Sequence, residues 1–167
     1  LLPHLRKRLQ KAQLLHFFQF LLLDECLLTY MCLDGTIPVS ELPYVLRRIS
    51  ELSQQFGLAV GNVFHAGDGN MHPLILYDAN KPGDLETCEA FGAEILKLCV
   101  EVGGCLTGEH GVGVEKRDLM NIQFGPMDLE AQMWLKDVFD PKWLLNAAKV
   151  FPLESAQAHR AAQLAAE

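Results

Sequence analysis

Leu42, Leu46, Ile49, Leu52 and Phe56 recur at spacings of three or four, which predicts an amphipathic helix. Ser40 is placed to cap it, Pro43 is tolerated in its first turn, and Gly57 ends it. Leu58 to Phe64, with β-branched Val60 and Val63, reads as a short strand, and Met71 to Tyr77 reads as its return partner. Pro73 has no ladder donor, so the return strand is expected at an edge or kinked there. Leu85, Cys88, Gly92, Ile95, Cys99 and Val102 mark one face of a second helix, which Asp84 is expected to cap and Gly103-Gly104 to stop. Its Glu86, Glu89, Glu94 and Lys97 form a solvated face. Cys105-Leu106-Thr107 is expected as a brief strand and Val114 to Phe124 as a helix. Asp128 is expected to cap a further helix carrying Met133, Trp134 and Val138 inward, before a turn at Phe139-Asp140-Pro141. The alanine-rich tail from Ser155 has helical propensity but little to pack with, so it is expected to fray.

Residues 1–33 have a different character. Arg6-Lys7-Arg8 precedes an apolar run from Leu14 to Leu23, which Asp24-Glu25 interrupts. The run is about half a membrane span, and His16, Gln19, Asp24 and Glu25 would be costly in lipid. No small-residue cleavage site follows, so a buried or partner-facing helix is the preferred reading over a signal peptide or membrane span. Asp34-Gly35-Thr36-Ile37-Pro38 breaks the segment. The first residue is Leu, which marks the chain as processed, trimmed or a fragment.

Composition narrows the partners. The 167 residues are 50% hydrophobic and 21% charged, a globular balance that favours one domain. A net charge of −7 argues against nucleic acid, whose phosphates need clustered Lys and Arg. Five cysteines with no C-x-x-C pair read as reduced thiols of a cytoplasmic compartment, acting as small hydrophobes.

Candidate chemistry gathers in two glycine-rich stretches. In His65-Ala66-Gly67-Asp68-Gly69-Asn70-Met71-His72, a two-residue Asp68-Gly69 turn would set His65 opposite His72. Their Cβ atoms would then lie ~5 Å apart, close enough to share an ion. An Asp-Gly turn is also simply a good hairpin, and histidines beside it need no ligand role. Gly108-Glu109-His110-Gly111-Val112-Gly113 offers a carboxylate and another imidazole. Two histidines and a carboxylate form a metal-site composition with room for a substrate. On an extended backbone Glu109 and His110 would leave on opposite faces, so Glu109 could ligate while His110 faces substrate as a base. Neither stretch is a dinucleotide fingerprint, and no nucleophile elbow or Walker loop appears.

The run Asn62 to Pro73 and the run Gly103 to Gly113 closely resemble the C-terminal domain of FAD-linked oxidases, of the type found in glycolate oxidase and the D-lactate dehydrogenases. Asp34 to Pro38 and Phe139 to Lys149 also sit where that family has them. The resemblance implies an α+β, ferredoxin-like cap with an antiparallel sheet and flanking helices over residues 30–152. Flanking it would be an extra, atypical N-terminal helical segment over 1–29 and an Ala-rich tail over 153–167. It further implies that His65, His72 and Glu109 hold a divalent metal, zinc or manganese, with His110 as catalytic base and Asn70 toward substrate. Asn146 and Lys149 would approach FAD, bound mainly by a separate N-terminal domain or subunit. The implied reaction is oxidation of a small 2-hydroxy acid to the 2-oxo acid, with this portion inactive alone. Two departures stand out: Val39 replaces a frequent basic residue, and Asn146-Ala147-Ala148-Lys149 replaces the usual Asn-Pro-Gly-Lys. A rival reading is a degenerate, non-catalytic fragment serving as an interaction module through its apolar N-terminal helix, and a metallohydrolase is a more distant one.

Overall fold

The computed structural model describes residues 29–166, so the expected N-terminal helix and its apolar stripe lie outside the described residues. The sheet has four strands: β1 (Thr29–Cys32), β2 (Gly35–Thr36), β3 (Val60–His65) and β4 (Asn70–Tyr77). β4 is central and antiparallel to all the others, with β3 on one side and β1 and β2 in succession on the other. β1 and β2 behave as one edge strand interrupted at Leu33-Asp34. Helix α1 (Leu42–Phe56) connects that edge to β3, and α2 (Asp84–Glu101) follows β4. Gly83, not Asp84, is the N-cap of α2; the Asp84 carboxylate instead accepts from Asp78 N–H (2.9 Å) and Lys81 Nζ (2.8 Å). A single bridge between Thr36 and Cys105 stands where a last strand would pair, in place of the expected strand. The order β-α-β-β-α with this remnant is the ferredoxin-like, α+β arrangement.

Alternation along β4 separates core from site. Met71 and Ile75 face α1 and α2 and pack with Val45, Ile49, Phe91 and Ile95, all essentially without solvent contact. Asn70 and His72 leave from the opposite face. Pro73 therefore sits in a central strand, contrary to the edge expectation. It is tolerated because Leu33 N–H still donates to Pro73 O, and Leu33 O, the acceptor a donor at residue 73 would meet, is met by a side chain instead. Burial pushes the Cys88 thiol up to about 11 and the Cys99 thiol up to about 12, which leaves both as inert hydrophobes.

Other local expectations shift. The chain enters α1 through a 3₁₀ turn at Val39–Glu41, so Ser40 reaches Glu41 Oε1 (3.5 Å) instead of capping backbone. Residues 114–124 form a 3₁₀ turn at Arg117–Leu119 and a single turn, α3 (Met120–Gln123), rather than one helix. In α4 (Pro126–Phe139), Asp128 stands inside the first turn and accepts from Gly125 N–H (3.0 Å). Leu129 and Met133 are buried there, whereas Trp134 and Val138 are 60% and 75% exposed. Consecutive helical residues point about 100° apart, and here the buried stripe runs through Leu129 and Met133, leaving Trp134 and Val138 on its outer side.

The tail is a docked helix, α5 (Leu153–Ala166), rather than a frayed end. Buried His159 lies between two carboxylates of α4. Its Nδ1 is 2.8 Å from Glu130 Oε1 and its Nε2 2.6 Å from Asp137 Oδ2. Trp143 Nε1 donates to Asp137 Oδ1 (2.6 Å), and the Trp143 ring packs on His159. Burial alone would favour the neutral ring, but the Asp137 and Glu130 carboxylates outweigh it and raise the His159 pKa. A raised folded value gives stabilisation that is complete below the unfolded value, about 6.5, and is lost as pH rises through the folded one. Thermal unfolding followed by circular dichroism should show stability falling as pH rises above about 6.5. That component of the slope should be missing in His159→Gln.

Candidate metal centre

The β3–β4 register pairs His65 with Asn70 and Val63 with His72. The hairpin loop is thus Ala66 to Gly69, four residues rather than two, and His65 does not stand directly opposite His72. A tertiary contact sets this length. Ile37 N–H donates to Gly69 O (3.0 Å), and Gly69 has φ 71° with its Cα so close to Ile37 O that a Cβ would lie 2.0 Å away. Only glycine fits that approach. His65 and His72 remain diagonal neighbours on one face, and their ring centroids lie 5.3 Å apart, edge to face.

The second half of the site is wrapped around Asp34, whose side chain has no solvent exposure. Its carboxylate accepts from Thr107 Oγ1 (2.6 Å), Gly108 N–H (2.9 Å), Glu109 N–H (3.0 Å) and His110 N–H (2.8 Å). The buried Lys116 ammonium lies 3.5 Å away. Burial would raise the Asp34 pKa, but these hydrogen bonds and the Lys116 charge hold it well below the usual carboxylate range. Because successive N–H groups turn toward one carboxylate, the loop is curved, not extended. Glu109 and His110 therefore enter the same space, where opposite faces were expected.

Glu109 Oε1 is 3.0 Å from His72 Nε2 and 3.7 Å from His65 Nε2. His110 stacks on His72 with centroids 5.2 Å apart. His72 Nδ1 lies 3.0 Å from Leu33 O, which can only accept, so the ring donates there and presents Nε2 to Glu109. Ligands about 2.1 Å from a tetrahedral ion stand roughly 3.4 Å from each other, so these donor spacings suit a divalent metal. Asp34, His72, Glu109 and His110 also have ligand atoms all within 4.8 Å of one another. Asp34, however, is fully committed to the loop donors and acts as its anchor.

Asn70 is buried against Gly108, and its Oδ1 is buried without a hydrogen-bond partner, a polar atom left over inside the cluster. A Cβ on Gly108 would come 2.7 Å from Asn70 Oδ1 and 2.7 Å from Thr36 Cγ2, so the loop needs glycine there. Asn146 and Lys149 are joined to each other (3.2 Å) in a separate loop. That loop is tied to residues 113–117 by Val150 N–H to Gly113 O and by Arg117 Nη1 to Ala148 O (2.8 Å each). Sequence reading passed over Asp34 and Lys116. The first stands in what reads as a break after residue 33, and the second falls inside the helix expected over Val114 to Phe124.

The family model of FAD linked oxidases, C-terminal domain, matches residues 22–150. Glycolate oxidase subunit GlcD of Escherichia coli K12 is 53% identical over 137 residues, covering 82% of this chain and 27% of that protein. The Bacillus subtilis protein of the same name is 35% identical, over 71% of this chain and 25% of its own length. The mitochondrial D-lactate dehydrogenase [cytochrome] of Kluyveromyces lactis is 34% identical, over 72% of this chain and 20% of its own length. The chain thus spans about a quarter of the length of the relatives it matches.

Two stability outcomes follow. Asp34→Ala strands the Glu109 and His110 N–H groups and a buried ammonium, while Gly108 N–H keeps the Asp34 carbonyl, so urea unfolding should show a loss of about 3–5 kcal/mol. Ala148, at φ 58°, occupies a left-handed position, so Ala148→Gly should raise stability by about 1 kcal/mol in the same assay.

Proposed function

This chain belongs to the FAD linked oxidases, C-terminal domain family, and on that premise we propose that it is the substrate- and metal-binding cap of an FAD-dependent oxidoreductase acting on a 2-hydroxy acid. The single observation that carries the reading is the convergence of His65 Nε2 and His72 Nε2 on Glu109 Oε1, with His110 stacked beside them. Those three donor atoms would hold a divalent metal, zinc or manganese. When bound, the metal supplies charge to the substrate's hydroxyl and carboxylate oxygens, and FAD supplies the acceptor for the hydride from C2.

The residues of this chain have distinct tasks. His110, exposed on the open side, takes the hydroxyl proton, leaving a carbonyl at C2 as the 2-oxo acid forms. His72, largely buried, is fixed by Leu33 O and orients Glu109. The free Asn70 amide would supply a hydrogen bond to substrate, and Asn146 with Lys149 would contact the flavin. Glycolate and D-lactate are the substrates suggested by the names of the relatives.

FAD would be held mainly by the part of the protein that the relatives have and this chain does not span, in the same polypeptide or a partner subunit. A surface suited to such a partner is present. Trp134, Leu135, Val138 and Phe139 on α4, with Leu144 and Leu145 after it, are all exposed apolar side chains. Free thiols at Cys32, Cys88, Cys99 and Cys105 fit a reducing, cytoplasmic compartment. Among the described residues no helix is long and apolar enough to cross a membrane.

Titration calorimetry with Zn²⁺ or Mn²⁺ tests the centre. One ion should bind per chain, and His72→Ala or Glu109→Gln should weaken binding by more than the 10–100-fold typical of outer-shell changes. A chain that binds neither ion would overturn the assignment. Once the chain is completed with the FAD-binding part of its 53% identical relative, His110→Ala should retain the ion and lose at least about 100-fold in turnover of glycolate or D-lactate.

A further inference from the structure

We propose that Pro73 is a positioning residue for the metal centre, because its missing N–H leaves the Leu33 carbonyl to the His72 ring. The inference rests on the metal-centre reading above. In an antiparallel ladder, facing residues on the hydrogen-bonded side exchange two bonds, N–H to O in each direction. Cys32 pairs with Leu74, so Leu33 faces Pro73, and Leu33 N–H donates to Pro73 O (3.0 Å). The reciprocal bond, from residue 73 N–H to Leu33 O, cannot form because proline carries no donor. Leu33 O instead accepts from His72 Nδ1 at 3.0 Å, across 39 residues of sequence.

That exchange has a chemical consequence. A histidine ligand is oriented by whatever its second nitrogen donates to. Here the acceptor is backbone of the neighbouring strand, fixed by β1 and by the Asp34 anchor, so the ring cannot swing without losing that bond. Nε2 is thereby held 3.0 Å from Glu109 Oε1. Among the described residues, the carboxylate near Nδ1 is Asp34, at 4.0 Å, and its oxygens are taken by Thr107, Gly108, Glu109 and His110. Proline in a central strand, ordinarily a defect, is the feature that frees the acceptor. Restoring an N–H at position 73 would complete the ladder and make the ring share Leu33 O.

The test is Pro73→Ala in the same chain, with three readouts. In nitrogen-15 labelled wild-type protein, long-range imidazole spectra should show a proton on His72 Nδ1, slow to exchange with water, with and without Zn²⁺. In Pro73→Ala that proton should exchange at least about tenfold faster and the Zn²⁺ dissociation constant should rise about tenfold, the low end for an altered outer-shell partner. The urea midpoint should not fall, since the variant gains a ladder bond. A purely structural proline would give the reverse: lower stability with the Nδ1 proton still protected. A wild-type His72 lacking the Nδ1 proton overturns the proposal without any variant. So does a folded Pro73→Ala, or Pro73→Val should the alanine chain not fold, that keeps both protection and zinc affinity. If the wild type binds no zinc, the metal-centre reading fails, and the exchange readout on the zinc-free chain still decides the role of Pro73.

Discussion

One buried carboxylate organises the site. Asp34 has no access to water, and an ionised group so placed must be met by donors or neutralised by a proton. It is met by one hydroxyl, three consecutive backbone N–H groups and the Lys116 ammonium. Charge-assisted bonds of this kind are roughly twice as strong as neutral ones, but desolvation offsets much of that gain. What the cluster supplies is therefore geometry more than net stability. Gathering successive amides around one point bends residues 107–111 so that two adjacent side chains, Glu109 and His110, approach the same imidazole. The residue before the anchor, Leu33, has both its backbone groups committed to the His72–Pro73 pair. The two halves of the site, far apart in sequence, meet at this one dipeptide.

What was legible from the chain divides along the range of the interaction. The periodicity of α1, the strand pair and the Cys88-Gly92-Ile95-Cys99 stripe of α2 are local, and they appear where apolar spacing put them, although Leu85 at the start of that stripe is exposed and Phe91, Leu96 and Leu98 widen it. The identity of the converging histidines and Glu109 was readable because the residue types themselves limit the chemistry. The hairpin register was not. An Asp-Gly pair prefers a two-residue turn, but the bond from Ile37 N–H to Gly69 O lengthens the loop, and no local pattern encodes that contact. Asp34 was hidden for the same reason: its partners in the loop lie 73 to 76 residues away. His159 was lost in an alanine-rich tail, because the carboxylates that hold it belong to another helix.

The segment after α4 shows a different constraint. Trp143, Asn146, Ala148 and Val150 all have positive φ, a region that costs non-glycine residues about 1–2 kcal/mol each. Such strain persists only where the surroundings fix the backbone. Here the fixing bonds are explicit: Asp140 accepts from Leu144 and Leu145 N–H, Lys136 donates to Leu145 O, and Arg117 donates to Ala148 O. The segment is thus a rigid, contorted rim carrying Asn146 and Lys149 beside the exposed apolar face of α4. A surface that costs energy in both its backbone and its solvent contact suits a chain whose relatives continue well beyond it.

Charge decides how such a site could welcome an acid. The chain carries −7 overall, and the Asp34–Lys116 pair is internally balanced, which leaves Glu109 as the carboxylate facing the open side. Alone, Glu109 would repel a substrate carboxylate. A divalent ion held by two neutral imidazoles and one carboxylate leaves a local surplus of one positive charge, whereas a shell of three carboxylates would leave a deficit. The surface average matters little at this range, since exposed charges more than about 8 Å apart are largely screened at physiological ionic strength. Two histidines and a single glutamate, were they to hold such an ion as proposed, would be a ligand balance that reverses the sign of the site, and the Leu33 carbonyl, by holding His72 Nδ1, would leave Nε2 for that role.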